Sequence, residues 1–473
     1  MTEGFDRRLI APLVLGAALN PVNSSMIAVA LVPIGAALDA VPSDTAWLVS
    51  ALYLATATGQ PVVGRLVDRH GPRRLYLAGA LLVGVAGLIG MLATSLGVLV
   101  TARVLLGFGT CAGYPAAMYL IRSESRRTGV DRPGPVLTLL TVAAQTIVVI
   151  GPALGGLLIA GGGWRTVFAI NIPLALACLL LGLRLPRTEP PPGPRQPLDL
   201  PGIALFASAL TTLMLFLMSP SVADLWLAGL ALASGAAFAV RELRTTSPFI
   251  DLRVLGGNRP LINTFLRTVC AQTITYAFLY GFTLWLEAGR HLSASAAGLV
   301  LLPMSLVAIA ASTLTGRTTR LRAVLLTGAI TQIGACALLL VLGDDSPIWL
   351  LVLVAAACGL PQGLNNLANQ NAVYHQADPA RIGASAGLLR TFTYLGAMVS
   401  AAAYGAFFHR DPGAGGLHNF AWFLLAVAVV MLALVVADRS LLRSGPGHAD
   451  PEADEARRRF SGARGGRPVR GDG

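Results

Sequence analysis

Apolar runs of about 20 residues or more, nearly free of charge, follow one another along most of the chain. A helix needs about 20 apolar residues to cross a bilayer core, so this pattern predicts repeated membrane crossings. The first run is long and is followed at once by others, which favours a retained helix over a cleaved signal peptide. We predict fourteen transmembrane helices, near residues 9–38, 45–64, 75–95, 97–121, 135–160, 163–183, 200–219, 223–240, 261–287, 293–315, 323–342, 347–373, 382–408 and 418–437.

The composition argues against a soluble protein. Of 473 residues, 55% are apolar and only 12% are charged, which leaves too little polar surface to cover a globule of this size. The cysteines fall within apolar runs, and their spacing indicates neither a disulfide framework nor a metal site. We expect small core residues at Cys111, Cys178, Cys270, Cys336 and Cys358.

Membrane topology explains the formal net charge of +12. If the N-terminus is cytoplasmic, about 29 of the 35 basic residues, all of them arginine, fall on the inner side, as the positive-inside rule requires. The predicted outer loops hold only Arg165, Arg290 and Arg410. We expect a multi-pass protein of the inner or plasma membrane with both termini in the cytoplasm. A nucleic-acid partner is not expected.

The apolar runs form sets of six, two and six, separated by polar stretches. This grouping predicts an all-α integral membrane protein in which an inserted helix pair separates two six-helix bundles. The expected parts are a cytoplasmic N-terminus (1–8), a first bundle (9–183), a proline-rich cytoplasmic connector (184–199), the inserted pair (200–240), a cytoplasmic linker (241–260), a second bundle (261–437) and a disordered basic cytoplasmic tail (438–473).

The loop after the second predicted helix has the most specific pattern in the chain. It reads G-x-x-x-D-R-x-G-x-R-R, in which the glycines permit tight turns, the acid can accept hydrogen bonds and the arginines can form ion pairs. A solvated loop would explain the arginines but not the spacing of glycine and acid. We interpret the string as a gating hinge formed by Gly64, Asp68, Arg69, Gly71, Arg73 and Arg74. A weaker echo at 316–322 follows the tenth helix, as an internal repeat would require.

This loop resembles the signature of the major facilitator superfamily, and further strings strengthen the resemblance. Arg103 begins a string similar to the superfamily's fourth-helix motif, although Leu106 replaces a frequent glutamine. The string W-R-x-x-F-x-x-N-x-P from residue 164, together with fourteen spans, resembles the fourteen-helix drug:proton antiporter branch. The fifth-helix antiporter motif, in which Ile147 replaces a usual glycine, is matched by Gly151, Pro152, Gly155 and Gly156.

The resemblance covers residues 9–437 and implies the major facilitator fold with alternating access. It also implies a conformational or proton-relay role for Arg103, for which a salt bridge between helices is the alternative. Relatives often carry an Asp in the first helix where this chain has Asn23, and no acid lies securely mid-span. Glu287 lies near the outer rim and fits an interface residue better than a proton carrier. Because Gly281 could bend that helix inward, Glu287 is still the candidate proton carrier.

Polar side chains on four predicted helices mark a candidate substrate cavity. Arg390 lies roughly 14 Å inside its helix, which favours a cavity-facing role over contact with headgroups. Arg267 lies closer to the inner end and fits a structural role equally well. Four amide side chains at i, i+3, i+4 and i+7 share one face of the twelfth helix. They either form hydrogen bonds with other helices or line a water-filled pathway, and we favour the pathway. The predicted cavity residues are Asn20, Asn23, Arg267, Gln272, Tyr276, Gln362, Asn365, Asn366, Asn369 and Arg390.

These features predict a monomeric secondary transporter that exports small amphipathic organic compounds. Because the intramembrane charge is wholly positive, we expect neutral or anionic substrates to be preferred over cations. Uptake or facilitated diffusion of a small polar or anionic solute is the alternative. The sequence does not determine whether protons are the coupling ion. Enzymatic activity is not expected, since the six histidines are scattered. No cofactor or metal is expected, and a chain without lysine cannot form an ATP-binding P-loop.

Overall fold

The structure is a computed structural model, and it describes residues 6–128, 134–186, 199–218, 221–315, 320–377, 382–409 and 411–442. These residues are helical with short connections, and they contain no strand. The first half of the molecule comprises nine helices: α1 (Ile10–Met26), α2 (Leu31–Leu38), α3 (Pro42–His70), α4 (Pro72–Met91), α5 (Leu96–Thr110), α6 (Gly113–Thr128), α7 (Gly134–Gly162), α8 (Thr166–Ala169) and α9 (Asn171–Gly182).

Two helices, the inserted pair, follow the first half: α10 (Leu200–Met218) and α11 (Leu225–Arg244). The second half comprises α12 (Arg259–Tyr276), α13 (Ala294–Thr315), α14 (Leu321–Leu338), α15 (Ile348–Gln376), α16 (Ile382–Phe408) and α17 (Ala414–Ala437). Two π-helical segments, Ala277–Phe282 and Trp285–Gly289, continue α12. The main proline-rich part of the predicted connector, residues 187–198, lies outside the described residues, as does the tail beyond residue 442.

Helices occupy all fourteen predicted runs, but fewer of them meet the length and apolarity expected of a span. In the described ranges, eleven helices are long and apolar enough to cross a membrane. The count reaches twelve if the pair Ile150–Gly162 and Thr166–Gly182, bent by 118°, is one span. The chain is thus a multi-pass membrane protein, while fourteen spans stay a prediction. The first span of each half has an irregular centre: a 3-10 turn at Ile27–Ala30 lies between α1 and α2, and π segments follow α12.

Among the described residues, two pairs of helices make the largest contacts between the halves. α7 packs on α13, and α3 packs on α16, while α1 with α7 and α13 with α15 make the largest contacts within each half. The helices of the inserted pair pack on each other, and α10 also touches both α3 and α16. The inserted pair therefore covers the seam between the halves at the α3–α16 pair.

Contacts between helix ends define the two faces of the molecule. On the termini face, the Asp6 amide donates to Glu124 near the end of α6, and Asn258 before α12 donates to Gln376 at the end of α15. On the opposite face, Ser43 near the start of α3 lies 3.2 Å from a ring nitrogen of His409, just after α16. The predicted hinge joins α3 to α4 on the termini face, where Gly71 adopts φ 87°, a conformation that side chains disfavour.

Candidate transport pathway

Arg390 and Tyr114 meet across the boundary between the two halves. Arg390 lies on α16, and its guanidinium carbon is 4.2 Å from the ring centroid of Tyr114 on α6. Arg390 is exposed and Tyr114 is 37% exposed, although both lie within candidate membrane spans. Hydrocarbon does not tolerate a bare cation, so an exposed arginine with a partner in the other half faces a space between the halves.

Further polar and aromatic side chains continue this space. Tyr394, one turn beyond Arg390, donates to Gln60 of α3 at 2.9 Å. Tyr276 of α12 lies with its ring 5.2 Å from that of Tyr53. Gln272, one turn before Tyr276, is half-buried beside Gly396 of α16. We call this set the central groove: Gln60, Tyr114, Gln272, Tyr276, Arg390 and Tyr394.

A buried tyrosine pair closes the groove toward the opposite face. The Tyr53 and Tyr280 hydroxyls are 3.0 Å apart, and Tyr280 donates to the carbonyl oxygen of Ser24 at 2.7 Å. Tyr53 and Ser24 belong to the first half and Tyr280 to the second, and both tyrosines are at most 1% exposed. These hydroxyl groups therefore hold the two halves together between the central groove and the opposite face.

The antiporter motif seals the next layer. Gly151 and Gly155 lie against Ser25 and Met26 of α1, and a Cβ at Gly156 would lie 2.6 Å from the Cα of Ser295. The Ser295 hydroxyl donates to the Gly156 carbonyl at 2.8 Å. These glycines let α7 approach α1 and α13 backbone to backbone. The predicted motif thus lies at the interface of the halves, near the opposite face.

The gating motif lies on the termini face, away from that seal. Arg69 and Arg74 are exposed and Arg73 is half-exposed, while a side chain at Gly64 would meet no atom within 4 Å. The side chain of Asp68 lies outside the described residues. The contacts that hold the halves together near the opposite face are therefore not matched by contacts of these exposed arginines on the termini face.

Arg103 and Asn23 form a buried network inside the first half. Arg103 is 1% exposed and donates to the carbonyls of Leu48 at 2.7 Å and Asn23 at 2.9 Å. Asn23 in turn donates to Asn171 of α9 at 2.7 Å. The amide of Asn23 is thus engaged between helices of the first half, and its predicted place in the substrate cavity stays a prediction. Asn20 is half-buried and donates to Thr110 of α5 at 3.1 Å.

Arg267 is an interhelix ion pair rather than a groove residue. Its guanidinium is 0% exposed and lies 2.6 Å from Asp438, which directly follows α17. It also donates to Thr264, which donates to Gln376 of α15. These hydrogen bonds connect the ends of α12, α15 and α17 on the termini face, and the predicted cavity role of Arg267 stays a prediction.

The amide stripe of α15 divides between packing and exposure. Asn365 is 1% exposed and donates to Gln332 of α14 at 2.8 Å, and Asn369 is 3% exposed. Asn365 thus bonds helix to helix, whereas the amide oxygen of Asn369 has no hydrogen-bond partner in the described part of the chain. Asn366 is half-buried and accepts from the exposed Gln370, and Gln362 lines a small internal cavity between α12, α13 and α14.

Glu287 lies in the second π segment, close to the opposite face. It is 6% exposed, and one carboxyl oxygen has no hydrogen-bond partner within the described ranges. The segment packs on α13 and α17, and Gly281 lies against Phe420 of α17. The π turns therefore bury Glu287 inside the second half, away from the residues of the central groove.

Several residues of the site were not predicted from sequence: Tyr53, Gln60, Tyr114, Tyr280 and Tyr394. A signal existed, because tyrosine and glutamine in the middle of a span need hydrogen-bond partners that lipid does not provide. The spacing of Arg390 and Tyr394 at i and i+4 also places them on one face of their helix.

Comparisons with known proteins agree with this architecture. The family described as Major Facilitator Superfamily matches residues 13–401 and 264–464. The chain is 31% identical to the uncharacterized MFS-type transporter YwoD of Bacillus subtilis, over 91% of this chain and 96% of that protein. It is 30% identical to the lincomycin resistance protein of Streptomyces lincolnensis, over 90% and 89%. A solved bacterial homolog of the human lysosomal transporter Spinster, inward-facing and unoccupied, has a TM-score of 0.67 at 15% identity, covering 95% and 100%.

Proposed function

The chain belongs to the major facilitator superfamily, and from that premise we propose that it exports small amphipathic organic compounds by alternating access. The observation that carries this proposal is the exposed Arg390 on the ring of Tyr114, between the two halves. A groove that joins a cation with several aromatic rings suits ligands with both apolar and polar parts. The similarity to a lincomycin resistance protein supports export.

Neutral or anionic compounds are the preferred substrates in this proposal. Arg390 is the one charged member of the central groove, whose other members are glutamines and tyrosines. An anionic group can pair with the guanidinium, while the tyrosine rings pack against the apolar part. A cation would be repelled by Arg390 and would find no carboxylate in this set.

In the proposed transport cycle, the protein alternates between a state closed on the opposite face and a state closed on the termini face. The Tyr53–Tyr280 pair and the α7–α13 seal close the opposite face, while the loop Gly64 to Arg74 latches the termini face in the other state. In the exporter reading, the termini face is cytoplasmic. Glu287 is the candidate proton carrier if transport is coupled to protons, because it is the buried acid of the π segments. The seam between the proposed six-helix bundles is the axis of the motion.

Transport by the purified full chain in liposomes tests the substrate preference. We expect the wild type to move the anionic dye 8-anilinonaphthalene-1-sulfonate in preference to the cationic dye ethidium. Arg390→Gln should lower anionic transport at least about tenfold, the factor equivalent to about 1.4 kcal/mol of lost ion pairing. Arg244→Gln, which removes an exposed arginine at the end of α11, is the control and should behave as the wild type.

Two outcomes would contradict the proposal. Unchanged selectivity in Arg390→Gln would remove this arginine from substrate binding. Equal transport with and without an imposed proton gradient would favour facilitated diffusion of a small polar or anionic solute over coupled export.

A further inference from the structure

Two carboxyl groups are buried against each other where the inserted pair meets its linker. Asp199 directly precedes α10 and is 6% exposed, and Glu242 lies in the last turn of α11 and is 0% exposed. Asp199 Oδ2 and Glu242 Oε1 have no hydrogen-bond partner in the described part of the chain. Both oxygens occupy the space beside Gly202 that the Cβ of any other residue would fill. There the two carboxyl groups lie within hydrogen-bonding reach of each other.

The nearby cations neutralise this pair only in part. Arg241 of α11 lies 2.7 Å from Asp199, and the Gly202 amide donates to the same carboxylate at 3.1 Å. Burial by itself would raise the pKa of Asp199, but these hydrogen bonds hold that pKa below its usual value. Among the described elements, Arg65 of α3 is the other charged group that faces the pair. The Asp199 carboxylate therefore carries the negative charge, and Glu242 is the carboxyl group of the pair that would be protonated.

The pair also connects the inserted helices to the gating helix. The second carboxyl oxygen of Glu242 accepts from the Ile250 amide of the linker at 2.9 Å. Two residues earlier, the Pro248 carbonyl accepts a hydrogen bond from Arg65 of α3. Between them, Phe249 packs its ring 5.6 Å from that of Phe206 on α10. A short chain of contacts thus runs from the carboxyl pair through the linker to Arg65 of α3. Arg65 directly follows Gly64 of the gating motif.

We propose that Asp199 and Glu242 form a proton-binding site, in which one proton bridges Asp199 Oδ2 and Glu242 Oε1 and holds the inserted pair and its linker on α3. Two carboxylates in contact cannot both stay ionised without a large free-energy cost, so the proton belongs to the folded arrangement. Its loss to water on the termini face leaves two negative charges against one close arginine. The pair then separates, and the linker loosens its hold on the gating helix.

Thermal unfolding of the purified full chain as a function of pH tests the site without reference to any substrate. Above the ordinary pKa of a glutamate, the unfolded chain has lost this proton while the folded chain still holds it, so the stabilisation is fully present at low pH and declines until the folded chain also releases the proton. The wild-type midpoint should therefore fall as the pH rises from acid to neutral, and it should level off above that range. Glu242→Gln, whose amide imitates the protonated acid, should lose that dependence. Asp345→Asn, the same kind of change at an exposed acid on the opposite face, should keep it.

Infrared spectra give a second, independent measurement. Because Glu287 is a second buried acid, all chains compared, the wild-type reference included, also carry Glu287→Gln. We expect this reference to show a protonated carboxyl band that disappears at high pH. The band should be missing from both Glu242→Gln and Asp199→Asn, and present in Asp345→Asn. A wild type without a pH-sensitive band, or a band that survives in Glu242→Gln or Asp199→Asn, would overturn the proposal even if one variant fails to fold. Because neither measurement uses transport, their failure is distinct from failure of the export proposal.

Discussion

Each of three arginines placed inside the predicted spans, two of them buried and one exposed, has a partner that the fold provides. Arg267 pairs with Asp438, Arg103 donates to backbone carbonyls, and Arg390 lies on a tyrosine ring beside open space. A charge in hydrocarbon is tolerated only when it is paired, hydrogen-bonded or hydrated, so these contacts distinguish Arg103 and Arg267 from Arg390, for which we propose a role in binding. Depth along a helix could not separate them, because the partners come from distant segments.

Breaking the Arg267–Asp438 pair should destabilise the protein strongly. Asp438→Asn leaves the Arg267 charge buried without a counter-ion, which we expect to cost about 3–5 kcal/mol of unfolding free energy. The double variant Arg267→Met with Asp438→Leu should recover much of that loss, since it leaves no buried charge. Denaturation of the detergent-solubilised chain measures both. Equal stability of Asp438→Asn and the wild type would show that the pair does not fasten the helix ends.

At the scale of helices, small residues determine how closely the halves approach. Gly156 faces Ser295, and Gly298 lies against the Pro152 carbonyl, so α7 and α13 meet through backbone atoms. Such contacts favour association in a bilayer, where the packing of small residues replaces the hydrophobic effect between helices. The antiporter motif therefore has a geometric explanation in this fold: it makes the closed state of the opposite face possible.

Gly156→Ala should open that seal. The added methyl group would overlap the Ser295 backbone, and overpacking of this kind costs about 1–3 kcal/mol in the closed state. We expect slower transport and greater labelling of a cysteine placed at Ser295 by a reagent added on the opposite face. Gly161→Ala is the matched control, because a Cβ at Gly161 on the same helix meets no atom within 4 Å. Identical labelling in the two variants would disprove the seal.

At the scale of the whole molecule, the contacts between halves are unequal on the two faces. Near the opposite face, glycine contacts, the Ser43–His409 pair and the tyrosine hydroxyls hold α1, α3 and α7 to the second half. Arg390 and Tyr114 are exposed below them. An exporter needs a second state of similar free energy, so the closing contacts must be few enough to exchange.

The sequence predicted much of this architecture, and its failures have a common cause. Apolar runs located the helices, and the G-x-x-x-D-R-x-G-x-R-R string marked the connection between α3 and α4, where Gly71 has positive φ. Its role as a gating hinge stays a prediction. Local periodicity placed Asn365 and Asn369 on one stripe but could not reveal that α14 supplies Gln332. Asp438 was assigned to a disordered tail because its partner, Arg267, is 171 residues away.

Tyr280→Phe should shift the balance between the two states. It removes hydrogen bonds to Ser24 and Tyr53 across the halves, each worth about 0.5–1.5 kcal/mol, while the ring and its packing stay. We expect a lower yield of the disulfide between cysteines placed at Ser43 and His409, which lie together when the opposite face is closed. Tyr404→Phe is the matched control, since its buried hydroxyl has no hydrogen-bond partner in the described ranges. If Tyr280→Phe cross-links as fully as Tyr404→Phe, the tyrosine hydroxyls do not hold the halves together, and the glycine seal alone must close that face.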